Sequence, residues 1–72
     1  MRLASRAEAL FSSPLQPSDS PTSPQIRAAI RASLRAHRGV RGCASALAAE
    51  YGEHPETAAE RMRWALSLAD AV

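Results

Sequence analysis

At 72 residues the chain has room for one domain with a small, marginally stable core, which makes a partner or self-association useful. Its 46% hydrophobic content is inflated by alanine and includes three aromatic residues, Phe11, Tyr51 and Trp64. The net charge is +2, and all nine basic residues are arginine with no asparagine anywhere, a bias of GC-rich coding that gives arginine-for-lysine arguments little weight.

One cysteine excludes an internal disulfide and suits a reducing cytoplasm. No apolar run approaches membrane-spanning length and no signal-peptide core is present, so a cytoplasmic protein with no membrane partner is expected.

Residues 1–11 form a short amphipathic segment with Leu3, Ala7, Leu10 and Phe11 on one face and Arg2, Arg6 and Glu8 solvated. Glu8 argues against a transit peptide. The expectation is a loose helix capping the core. Residues 12–23, SSPLQPSDSPTS, are low in complexity and rich in proline, a composition for a linker that lies extended or moves freely. Its Ser-Pro pairs also match phosphorylation sites, but simple linker chemistry is by far the better account of them.

The longest helix is predicted over residues 24–38. It starts either with Ser23 as N-cap and Pro24 first, or with Thr22 and Gln25 as a capping box. Ile26, Ala29, Ile30, Ser33 and Leu34, with His37, share one side, and Gly39 ends the helix. Arg27, Arg31, Arg35 and Arg38 run along another side, and repulsion between like charges four residues apart costs stability unless something anionic lies opposite. With Arg41 they form the candidate phosphate-binding set. The alternatives are a solvated face or pairing with the glutamates of the last helix.

A second helix is predicted over residues 43–51, from the apolar row Cys43, Leu47 and Tyr51, with Gly52 as a left-handed stop. His54-Pro55-Glu56-Thr57 then starts a third over residues 55–70. Glu53, Glu56 and Glu60 favour its N-terminal dipole, and Ala58, Met62, Ala65, Leu66 and Ala69 form its apolar stripe. The predicted core is Ile26, Ile30, Leu34, Leu47, Tyr51, Met62, Leu66 and Trp64.

The run from Ala48 to Ala58, AAEYGEHPETA, resembles the centre of a helix-turn-helix, a motif that would extend over about residues 43–66. The resemblance implies a small residue at Ala48 for close helix crossing, a turn at Gly52 and Ala58 filling the angle. Glu53 departs from the usual apolar turn residue, and the closing apolar position, Met62, falls one residue late. The whole chain also resembles a group of short actinobacterial proteins, which implies no activity. The implied fold is an all-α, three-helix bundle with a short N-terminal helix, organised as residues 1–11, 12–23 and 24–72.

In a DNA-binding helix-turn-helix the last helix would present Glu56, Thr57, Glu60, Arg61 and Arg63 to base edges, although two carboxylates there oppose the backbone. Charge is divided unevenly: residues 1–42 carry +5 and residues 43–72 carry −3. The basic part either grips nucleic-acid phosphates or is satisfied by the acidic part of the same or another copy.

Cys43 reads as a small core residue. His37, Cys43 and His54 lack zinc-ligand spacing, and no phosphate loop, nucleophile elbow or acid–base pair is found, so no metal, cofactor or enzymatic activity is expected. The expectation is a helix-turn-helix-like DNA-binding or transcription-associated module. Its rival is a protein-interaction adaptor or small homo-oligomer, a dimer for instance, with no nucleic-acid partner.

Overall fold

A computed structural model describes all residues from Met1 to Val72. The chain is all-α, with α1 at Leu3–Phe11, α2 at Ser23–Ala36, α3 at Val40–Glu53 and α4 at Pro55–Ala71. Its radius of gyration, 10.9 Å, matches the value of about 11 Å for a compact chain of this length, so the helices close around one core.

The N-terminal helix is the centre of that core rather than a cap on it. Ala7, Ala9, Leu10 and Phe11 are buried, and α1 packs against α4 most extensively and against α2 and α3 as well. A helix of nine residues is too short to hold itself together, so its stability comes from this burial. Alanine makes the close approach feasible: Ala58, Ala65 and Ala69 of α4 are also buried, and only Leu10 and Cys43 are larger side chains with essentially no exposure.

The predicted core is correct at Ile26 and Ile30, which are buried, and Leu34, Leu47, Tyr51, Met62 and Trp64 pack half-buried around it. Leu66 is the correction, being 37% exposed. At 100° per residue it lies about 80° to one side of the Ala58–Ala65–Ala69 line, while Leu68 lies a similar angle to the other side. Leu68 packs against the core and Leu66 is left outside. Phe11 and Tyr51 stack with ring centroids 6.3 Å apart.

The serine/proline stretch takes a defined path. Ser13 Oγ donates to Leu10 O at 2.6 Å and accepts from the Leu15 amide, and Pro17–Asp19 form a 3-10 turn closed by a Gln16 N–H bond to Asp19 Oδ2. At the start of α2 the capping box is the form adopted: the Gln25 amide donates to Thr22 Oγ1, and the Thr22 amide donates to Gln25 Oε1 at 2.8 Å.

The α2 helix ends at Ala36, two residues before its predicted end, in a Schellman turn. Gly39 N–H donates to Leu34 O at 2.7 Å and Arg38 N–H to Arg35 O at 3.4 Å. The left-handed residue is Arg38 (φ 62°), while Gly39 (φ 96°, ψ −170°) adopts a conformation open essentially to glycine alone and starts α3.

The α3 helix therefore begins three residues earlier than predicted and runs through Gly52, which is not left-handed. The break falls at His54, since Pro55 disfavours the helical conformation in the residue before it and glycine merely permits a turn. Ala48 is exposed and does not form a close crossing, whereas Ala58 is buried as expected. A Cβ at Gly52 would meet nothing within 4 Å. Gly52→Ala is therefore expected to stabilise the protein by about 0.5–1 kcal/mol in urea titration; a loss of stability would restore a turn at this position.

Candidate nucleic-acid interface

Between Asp19 and Glu50 the sequence contains no carboxylate and all of Arg27, Arg31, Arg35, Arg38 and Arg41. The structure leaves all five exposed. Ile26 and Ile30 anchor one side of α2 to the core, which turns Arg27, Arg31 and Arg35 outward as a row four residues apart. The Schellman turn then places Arg38 and Arg41 just beyond the end of that row.

Arginine at Arg38 occupies a left-handed position that glycine would take at roughly 1 kcal/mol less cost. Repulsion along the row adds a few tenths of a kcal/mol per neighbouring pair. The hydrogen bonds from arginine side chains come from Arg6 and Arg61 and end on backbone carbonyls, not on the glutamates of α4.

The residues expected on a recognition helix are divided. Glu56, Thr57, Glu60 and Arg63 are exposed, but Arg61 turns inward. Its Nε donates to Phe11 O at 2.8 Å, and its Nη2 donates to Ser13 O at 2.8 Å and Leu15 O at 2.9 Å, with Leu10 O at 3.5 Å. The guanidinium carbon lies 4.7 Å from the Trp64 ring centroid and 5.8 Å from that of Phe11. The reason is the burial of α1: the carbonyls at its C-terminal end cannot reach water freely and need donors. Desolvation pushes the Arg61 pKa below its ordinary value. With Arg61 engaged, the exposed charges on the first half of α4 are Glu56 and Glu60 with Arg63.

One grouping is not visible in the sequence. An open cleft of about 430 Å³ between the end of α1, α3 and the start of α4 is lined by Phe11, His37, Glu50, Thr57 and Arg61 among others. Its groups are largely occupied within the fold: His37 Nε2 contacts Ser12 O at 3.1 Å, and Arg61 holds the carbonyls described above. No three His, Cys, Asp or Glu side chains cluster to hold a metal ion, and Cys43 is buried with its Sγ 3.8 Å from Ser33 O. No helix is long and apolar enough to cross a membrane.

Comparison with protein-family models, curated proteins and solved structures gives no match.

Proposed function

We propose that this protein is a small, non-enzymatic binding module that holds nucleic acid on the arginine face of α2, in the role of a DNA-associated or transcription-associated regulator. The observation that carries this reading is the continuous run of five exposed arginines uninterrupted by any carboxylate. Each phosphate neutralised by an arginine releases condensed counterions, so the face favours a polyanion over isolated acidic groups. The cost of repulsion along the row is relieved when a polyanion occupies the face.

The test is binding to fluorescent duplex DNA over a salt series. Arg31→Gln with Arg35→Gln is expected to lower the slope of log affinity against log salt by about 2 and leave the thermal transition within a few degrees of the parent. An unchanged slope would remove the arginine row from the interaction.

A second reading has its own support. Glu50, Glu53, Glu56, Glu60 and Asp70 are exposed on α3 and α4, whereas Arg27, Arg31, Arg35 and Arg38 lie on α2 and the turn after it. Two copies would then pair basic face to acidic face, as a homodimer or longer array in a protein-interaction role. Light scattering separates the two readings: a defined multimer at low salt that DNA does not dissociate supports the second.

A further inference from the structure

We propose that the partner is double-stranded nucleic acid, bound chiefly by its phosphate backbone along α2 with only a partial reading of its bases; this rests on the nucleic-acid reading above and adds the kind of strand and the mode of contact. Three features of the face converge on it.

The first is what separates the arginines. The exposed residues interleaved with Arg27, Arg31 and Arg35 are Ala28, Ala32 and Ala36. Arginine can read guanine and an alanine methyl can touch that of thymine, but adenine reading needs asparagine or glutamine and cytosine reading needs a carboxylate. From Arg27 to Arg41 the face has neither. Alanine keeps the surface low, so the helix body can lie close to a backbone while the long arginines reach to either side.

The second is the absence of a stacking platform. Single-strand binders combine a basic groove with aromatic side chains on which bases stack. Here Phe11, Tyr51 and Trp64 belong to α1, α3 and α4, none to α2. Phe11 is buried, Tyr51 is stacked on it, and Trp64 lies against Arg61. Unstacked bases would find arginine guanidinium planes on this face but no aromatic ring to stack on.

The third is rigidity. Successive arginines of the row are separated by one step of four residues, about 6 Å along the axis, with a drift of about 40° around it. A helix anchored through Ile26 and Ile30 holds that spacing fixed, which suits a stiff lattice of phosphates more than a flexible strand. The start of α4, the other helix that would enter a groove, presents Glu56 and Glu60 and has Arg61 turned away.

Five phosphate contacts on a duplex correspond to a salt slope of about −4 to −5, against about −3 to −4 on a single strand. The experiment uses the full chain with a labelled duplex, a second duplex of scrambled sequence and the separated strands, each over a salt series, with poly-glutamate as competitor. The expected result is a duplex slope near the first range, affinities for the two duplexes within about threefold, and single strands weaker by on the order of tenfold. Equal or tighter binding of single strands, or a duplex preference on the order of a hundredfold between sequences, overturns this inference and leaves the nucleic-acid reading standing. No salt-dependent binding to any of these nucleic acids, or displacement of the duplex by poly-glutamate at equal charge, overturns both, and the face then takes an acidic protein.

Discussion

Replacing Gly42 by alanine is expected to remove most of the stability of this protein. A Cβ built at Gly42 falls 1.4 Å from the backbone oxygen of His37 and 2.6 Å from its carbonyl carbon. Neither atom is a flexible side-chain end; both belong to the turn that joins α2 to α3. Relieving the overlap means moving α3 away from the end of α2, and that disturbs the buried neighbours Cys43 and Ser33. Overpacking a fitted interior costs about 1–3 kcal/mol and more where backbone must shift, and this site lies at the upper end. A core of this size supplies roughly 3–5 kcal/mol in all. The thermal midpoint should therefore fall by about 15–25 °C, or cooperative unfolding should be lost. A midpoint within a few degrees of the parent would mean that α2 and α3 do not cross at Gly42 as described.

The second large effect is expected at Arg61. Arg61→Met keeps much of the stem packing and the contact with Trp64, but it leaves the carbonyls of Phe11, Ser13 and Leu15 without the donors they use. Each buried acceptor left unpaired costs about 1–3 kcal/mol, reduced here because Arg61 is only half-buried and water can reach part of the site. A net loss of about 3 kcal/mol by urea titration is expected. Arg61→Lys retains the charge but not the planar fork that serves several acceptors at once, so about half that loss should remain. If the methionine variant is as stable as the parent, the end of α1 is satisfied by solvent. The contribution has a defined pH dependence: with the folded pKa depressed, the folded state binds fewer protons than the unfolded one near the titration of arginine, so stability rises with pH there. That window is strongly alkaline, and at ordinary pH the Arg61 contribution should not vary.

The elements that the sequence announces locally are the ones it places well. Proline at Pro55 and the Thr22–Gln25 capping box mark helix starts through their own backbone chemistry, and the outward placement of Arg27, Arg31 and Arg35 follows from the burial of Ile26 and Ile30. The misplaced features depend on partners distant in sequence. Gly42 and Gly52 look alike as residues, yet one is demanded by a backbone 1.4 Å away and the other faces open space. Arg61 reads as a solvated charge on a groove-facing helix because nothing near it shows that the end of α1 needs donors. The central position of α1 is obscured in the same way: Ala7 and Ala9 carry little hydrophobic signal, and only the fit of alanine faces against α4 brings them inside. For the candidate site, exposure of the five arginines was legible and the inward turn of Arg61 was not.

The placement of α1 bears on how the chain acquires its structure. Arg61 meets Phe11 across 50 positions of sequence, and Arg6 Nη2 reaches Ala69 O across 63. Small helical proteins usually fold quickly because most of their contacts are local. Here α2 touches α3 only sparingly and both pack mainly on α1, whose most extensive contact is with the last helix. Folding should therefore be slower than the helix content alone suggests, and the rate-limiting step should be the joining of the two ends. On the ribosome, α1 can meet α2 and α3 first, but its most extensive contact waits until α4 has emerged.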